Sequence, residues 1–367
     1  MKKKMKQVFV ACLCLGMLFT LAACGGTSTT GSGSAAAASG SSAASGSGAS
    51  SGDVIVLKAA HSVSTTHPYH LGLEYYKKEV EEQTNGKVEI DIYDSGVLGD
   101  ERACIEGLQM GTIDIAVTST GPIGNFASDF LVLDLPYLFP DADTARAVLD
   151  GDVGKNLLSQ LSPLGITGAA FWENGFRELT NSKRPINTIN DLKGLKIRTM
   201  ENEIHMAAFK LLGVDPTPMT WSDVYASLQQ GVIDGQENPI AIIQSQGIYE
   251  VNKYMAMTNH VYSPACLLIS NITLQKFDKA TQQILINCAK DAAQYERKLL
   301  TDSDNDNIAK LKQEGMEITY PDTTKFAEVV QPVYDQYKDK FSAGLLDSVK
   351  AQIAANSTSS STTSTSK

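Results

Sequence analysis

From residue 54 to residue 117 the chain alternates short β-branched runs with helical segments, and few folds accommodate that order. Residues 54–60 read as a first strand. A helix is expected from Pro68, whose fixed φ suits a first turn, to about Thr84, where Asn85-Gly86 ends it. Val88, Ile90 and Ile92 alternate as a half-buried strand, and a helix over residues 101–110 precedes a strand at 113–117. Strands separated by helices predict parallel α/β layers. At 367 residues, 43% of them hydrophobic, the chain is long enough for two such lobes. Residues 166–172 are expected to form a strand that feeds a turn at Asn174 and crosses between the lobes.

Residues 174–239 carry the candidate chemistry. Asn174-Gly175-Phe176-Arg177 opens this stretch, residues 191–198 supply a turn and strand, and Asp234-Gly235-Gln236-Glu237-Asn238-Pro239 closes it. Gly194 is expected to close the turn, leading into a strand in which Leu195 and Ile197 share one face. Arg198 then sits at the strand's carboxyl end, where open α/β sheets leave a crevice for ligands. A guanidinium in that crevice offers a planar fork that matches a carboxylate. The alternative is that Arg177 and Arg198 pair with Glu173, Asp191 or Glu201 on a wetted surface, where such pairs contribute little. The formal charge is −10, and residues 1–23 carry four lysines and no acid, so their removal takes it to about −14. Such a field repels acids at long range, so an anion has to be captured by local positive groups. It also argues against nucleic acid as a partner.

The whole stretch resembles the DctP-type solute-binding proteins of tripartite ATP-independent periplasmic (TRAP) transporters. The matching residues are Glu173-Asn-Gly-Phe-Arg177, Asp191-Leu-Lys-Gly-Leu-Lys-Ile-Arg198, Pro216-Thr-Pro-Met219, Val224-Tyr-Ala-Ser-Leu-Gln229 and Gly231-Val-Ile-Asp-Gly-Gln-Glu-Asn-Pro239. Weaker similarity runs from Leu57 to about Phe341. The resemblance implies a two-lobed, periplasmic-binding-protein-like α/β fold, type II-like, with a hinge and a long helix bridging the lobes. Residues 278–314, free of proline and glycine, are the candidate for that helix, with a break at 302–307 as the alternative. The solute-binding domain is expected over residues 53–350. Lobe I would take residues 53–175 and a returning segment near 265–300, and lobe II residues 176–264 and the C-terminal helices. Apolar segments at 254–257 and 265–269 are both candidates for the return to lobe I.

By the same resemblance Arg198 binds the ligand carboxylate, Arg177 and Asn238 are second contacts, and Trp221 lines the cleft. Glu237 or Glu173 is expected to select hydroxyls, and Phe171 and Trp172 are either cleft walls or core. The function implied is capture of a small organic acid, a dicarboxylate or sugar acid, and delivery to small and large membrane subunits of the DctQ and DctM type. A receptor for an ATP-driven importer or a chemosensor would share the body, and an exported enzyme acting on organic acids would turn its ligand over. No catalytic motif supports the enzyme: no Gly-x-Ser-x-Gly occurs in the globular body and no His-Glu-x-x-His anywhere. His67 and His70 alone do not make a metal site, and no cofactor is expected.

Lys2, Lys3, Lys4 and Lys6 precede an apolar run over residues 8–21, which reads as a secretory leader. Leu21-Ala22-Ala23-Cys24-Gly25 looks like a bacterial lipobox, in which Cys24 is lipidated and becomes the mature N-terminus. Residues 25–52, almost wholly Gly, Ser, Ala and Thr, form a tether. The protein is therefore expected outside the cell membrane, lipid-anchored to the outer face of the cytoplasmic membrane, and as a monomer. Residues 351–367 are expected as a Ser/Thr-rich tail. Cys104, Cys266 and Cys288 remain after processing; buried single thiols are the first reading, and one bridge with a leftover stays open.

Overall fold

The computed structural model describes residues 54–363. The leader, the Cys24 lipidation site and the tether lie outside the described residues, as do residues 364–367.

Strand β1 (Ile55–Ala60) lies between β2 (Val88–Tyr93) and β3 (Ile115–Ser119) and is parallel to both. The crossovers are helices α1 (Pro68–Gln83) and α2 (Glu101–Met110), as the alternation of apolar patterns requires. Pro68 opens α1, and His67 Nδ1 accepts from the Tyr69 backbone N–H at 3.1 Å. Tyr69, Leu73, Tyr76 and Val80 recur three and four residues apart and are buried on one face. Gly72 belongs to that face, where a Cβ would stand 2.6 Å from the Trp172 ring. Trp172 is thus core and not cleft wall, with Nε1 donating to the Ala289 carbonyl at 3.1 Å. Phe171 is likewise core.

A short helix α3 (Thr120–Ile123) and a 3₁₀ segment, Ser128–Asp134, lead to α4 (Ala142–Asp150) and α5 (Asp152–Ser159). Strand β4 (Ile166–Asn181) then runs for 16 residues. Asn174, expected at a turn, lies inside this strand. Partners distant in sequence hold both of its halves extended, and the irregularity at Asn174-Gly175 is a bulge between Glu173 and Gly175, where Gly175 has φ 114°.

The second half comprises β5 (Lys196–Thr199), α6 (Glu203–Leu211), β6 (Asp215–Pro218), α7 (Val224–Gln229), β7 (Gly235–Pro239), α8 (Ile240–Ser245) and β8 (Tyr254–Ala256). β5 is parallel to β6 and β7, and β7 is antiparallel to the end of β4. β9 (Tyr262–Ser270) returns to the first half and inserts antiparallel between β3 and β4. The sheet order is β2-β1-β3-β9-β4-β7-β5-β6, with β8 pairing β4 and β10 (Glu317–Thr319). Of the two candidate returning segments, only the second goes back; β8 stays beside the end of β4.

After α9 (Asn271–Leu274), helix α10 (Lys279–Gln313) is a single element of 35 residues, about 50 Å long. The Asp and Asn residues at 302–307 do not break it. Asp302 is held by Lys298 one turn earlier at 2.5 Å, which occupies a side chain otherwise free to cap. α10 packs on α1, β4 and α8 and so touches both lobes. Arg297 fastens it, gripping Asp150 at the end of α4 at 2.7 and 2.9 Å and the Phe171 carbonyl at 2.9 Å.

Helices α11 (Thr323–Val330) and α12 (Pro332–Tyr337) pack on α6, whereas α13 (Leu345–Thr363) packs on α4 and α5. The assignment of all C-terminal helices to lobe II is therefore corrected for α13. Leu345, Val349 and Ile353 recur every four residues and give it an apolar stripe that the α4 and α5 surface covers. The stripe reaches Ile353, and α13 itself runs on to Thr363, through residues that were expected as tail. Cys104, Cys266 and Cys288 are buried and unbridged.

Candidate functional site

Gly194, at φ 74°, makes the turn that starts β5, and its N–H donates to the Gly213 carbonyl at 2.9 Å. Leu195 and Ile197 enter the core, and Arg198 emerges near the carboxyl end of the strand, only 4% exposed. Its Nε and Nη2 donate to the Met219 carbonyl at 2.9 and 2.6 Å, and its guanidinium carbon lies over the Trp221 ring. No acidic side chain forms an ion pair with it among the described residues. Burial pushes its pKa down to about 10, only partly opposed by Glu237, Glu101 and Asp100, while Arg177 adds to the depression. The surface-pair alternative therefore does not describe Arg198.

Arg198 faces a half-open cavity of about 30 Å³ lined by both lobes. Ser62, Val63, Tyr69, Glu101 and Ser119 line it from the first lobe, Met200, Trp221, Asn238 and Ile242 from the second, and Asn174 from β4. That volume holds a water but not an acid of several heavy atoms, so entry needs the lobes to part. Hydrogen bonds join the lobes around it. The Asp100 carboxylate accepts from the Ser222 N–H at 3.2 Å and hydroxyl at 2.8 Å, and Asn202 Nδ2 donates to the Gly121 carbonyl at 3.2 Å.

Arg177 stands differently. It is fully buried and forked onto Glu237, with Nη2 also donating to the Glu237 carbonyl at 2.6 Å and to Asn238 Oδ1 at 2.9 Å; its Nη1 has no partner among the described residues. Burial opposes charge on Glu237, yet Arg177 and His260 hold its carboxyl well below the usual carboxylate range. Asn238 Nδ2 donates to Gln236 Oε1 at 2.6 Å, so the amide is oriented from both ends.

Of the six expected site residues, Arg198, Asn238 and Trp221 line the interlobe cavity, and Arg177 touches it through Asn238. Glu237 is corrected: its carboxylate is taken by Arg177 and His260 and lines no part of the cavity. Glu173 is corrected too. It pairs with Arg146 at 2.5 Å and lines a separate cavity of about 670 Å³ between α4, β4 and α10. That larger space suits an anion poorly, because Asp141, Asp143, Glu178 and Asp304 line it and its one guanidinium is already paired. Glu101, Ser119 and Tyr69 were missed. The signal available for Glu101 was its place directly after Gly99-Asp100, at the start of a helix that follows a strand.

A family profile described as DctP, bacterial extracellular solute-binding protein family 7, matches residues 59–340. The chain belongs to this family. Among solved DctP-family structures it is 42% identical to a TRAP periplasmic solute-binding protein from Bordetella bronchispeptica with density assigned to pantoate, at a TM-score of 0.79 over 81% of this chain and 98% of that one. It is 39% identical, with the same TM-score and coverage, to a TRAP solute-binding protein from Polaromonas sp. JS666 bound to D-erythronate. The 2,3-diketo-L-gulonate-binding periplasmic protein YiaO of Escherichia coli is 34% identical over 286 residues, 78% of this chain and 86% of that protein. As a DctP-family member the chain has the two-lobed α/β fold and is an extracytoplasmic solute-binding protein of the TRAP type.

Proposed function

We propose that this protein captures a small organic carboxylate between its lobes with Arg198 as the anchor, and hands it to the small and large membrane subunits of a TRAP transporter for import. The observation that carries the reading is Arg198 itself, a buried guanidinium without an acid partner, facing a cavity shared by both lobes. Burying a charge without its mate is unfavourable, and a ligand carboxylate offsets that cost. Asn238, oriented by Arg177, is the second contact, and Trp221 is the wall against which the guanidinium is held. A ligand touching both lobes favours the closed arrangement by its differential affinity for it. The acids named for the related structures are of this chemical kind.

The reading is of a receptor and not an enzyme, acting as a monomer tethered through lipidated Cys24. Calorimetry of the mature protein with a panel of organic acids tests the site. Arg198→Ala and Arg198→Lys are expected to weaken the best ligand by about two decades or more, and equal binding by all three proteins would overturn the assignment. Incubation with labelled acid should return it unchanged. Mass spectrometry of the membrane-extracted protein should find a lipid-modified Cys24, and Cys24→Ser should release the protein from membranes.

A further inference from the structure

The larger cavity, between α4, β4 and α10, has no part in the acid-receptor reading, and its chemistry is opposite in sign to that of the Arg198 site. Asp141, Asp143, Glu173, Glu178 and Asp304 line it against one guanidinium, that of Arg146. Arg146 is already held by Glu173 at 2.5 Å and Asp143 at 3.3 Å. Glu178 is 1% exposed and accepts from the Asn259 N–H at 3.0 Å, yet neither it nor Asp304 forms an ion pair among the described residues. Burial therefore raises the Glu178 pKa, as expected of a carboxyl with no cation beside it. Asn174 is the residue this cavity shares with the Arg198 site. Its side chain is 3% exposed, and its Oδ1 has no hydrogen-bond partner among the described residues. Between the acids the wall is apolar: Leu300 and Ile308 flank Asp304 along α10 at helical spacing, and Phe176, Ile240 and Met257 face them.

We infer that this cavity binds an aliphatic polyamine, with ammonium groups on Glu178 and Asp304 and the methylene chain along Phe176, Met257, Leu300 and Ile308. Its volume of about 670 Å³ is that of a small-molecule site. Acids set apart by apolar wall suit a flexible chain with several charges better than a point charge. No three His, Cys, Asp or Glu side chains converge on a metal position among the described residues. An ammonium group on Glu178 supplies the counter-charge that this buried carboxylate lacks. Asn174 Oδ1 is an acceptor for a further N–H of the same ligand. The formal charge of −10 favours the approach of a polycation at long range. Neither Arg198 nor Trp221 lines this cavity, so the inference stands apart from the acid-receptor reading.

Calorimetry of the mature protein at about pH 8 and low salt, where Glu178 ionises and charges are least screened, is the test. Spermidine, putrescine, butylamine and Mg²⁺ are the probes. Spermidine is expected to bind once per chain, at least about 10-fold more tightly than butylamine or Mg²⁺. Glu178→Gln should weaken spermidine by about 10-fold or more, and Asp304→Asn, at an exposed position, by about 3-fold. Asp335→Asn removes an exposed acid on α12 that does not line the cavity, and it should leave spermidine binding unchanged. Melting curves report whether each variant is folded, and the exposed Asp304→Asn keeps the test open if Glu178→Gln is not. Spermidine that binds no more tightly than butylamine, or less tightly than Mg²⁺, overturns the inference. So does an affinity unchanged in every folded cavity variant, or one that Asp335→Asn lowers as much as they do, which would be attraction to the whole negative surface. Each of these results leaves the acid-receptor reading standing, because that reading is tested at Arg198.

Discussion

The guanidinium carbon of Arg198 lies 5.4 Å from the centre of the Trp221 ring, while its Nε and Nη2 share the Met219 carbonyl. Ring and carbonyl together set the direction in which the free edge of the fork points. Trp221→Ala should therefore lower acid affinity by about 3- to 30-fold, the range of a cation–π contact. Trp221→Phe should lose less. Because Trp221 is only half-buried, the melting temperature without ligand should move little, and calorimetry beside thermal unfolding separates the two effects.

The Arg177–Glu237 pair is fully buried, so removing one member leaves the other uncompensated. Glu237→Ala is expected to cost about 3–5 kcal/mol of stability in urea titrations. The pair also has a pH signature. The folded protein holds the Glu237 carboxyl below its usual range, so its stabilisation is complete above about pH 4.5 and is lost as the pH falls below that value. Urea midpoints between pH 6 and pH 3 should fall more steeply for wild type than for Glu237→Gln.

Glu178 has the opposite sign. Burial pushes its pKa up to about 8, with the Asn259 and Thr258 backbone N–H groups offsetting only part of the effect. A carboxyl raised in the folded state contributes its stability below the ordinary carboxylate pKa, and that contribution is lost as the pH rises towards and through 8. Wild type should lose stability between pH 5 and pH 9, and Glu178→Gln should be flatter and about 1–3 kcal/mol more stable at pH 9. A variant whose urea midpoints track wild type across that range would contradict the assignment.

Asp100 and Ser222 meet across the mouth of the site, one from each lobe. Asp100→Ala should weaken ligand binding by about 3- to 10-fold by destabilising the closed arrangement. Small-angle scattering at subsaturating ligand should show a larger radius of gyration for the variant. The melting temperature without ligand should be close to that of wild type, since the contact is exposed.

The alternation that builds β1, α1, β2, α2 and β3 was legible because each element carries its own period and its own stop, such as Pro68 before α1 and Asn85-Gly86 after it. Arg198 was legible for a similar reason, since the Gly194 turn and the buried pair Leu195 and Ile197 locate the strand end nearby. What escaped is decided by partners remote in sequence. Asn174-Gly175 looks like a turn locally, yet β7 and β9 hold it in a strand. Glu237 and Arg177 are 60 positions apart, and only the β4–β7 register brings them together. Glu173 was assigned to the ligand because nothing local announces Arg146. Glu101 reads locally as an ordinary acid in a first helical turn, favourable there on electrostatic grounds alone. The helical extent of α13 was not legible because, after Ile353, residues 354–363 are only Ala, Asn, Ser and Thr and carry no apolar period.

Strand β4 gives its first half to one set of neighbours and its second half to another. A gene cut near codon 175 would put β9 in the second fragment and its two neighbours, β3 and the first half of β4, in the first, while β7 would keep the second half of β4 beside it. Neither fragment should mature alone. Mixing them should restore a native particle only if β9 of the second fragment inserts between β3 and the β4 stump of the first, which makes this chain a poor candidate for piecewise expression and a good one for a complementation reporter.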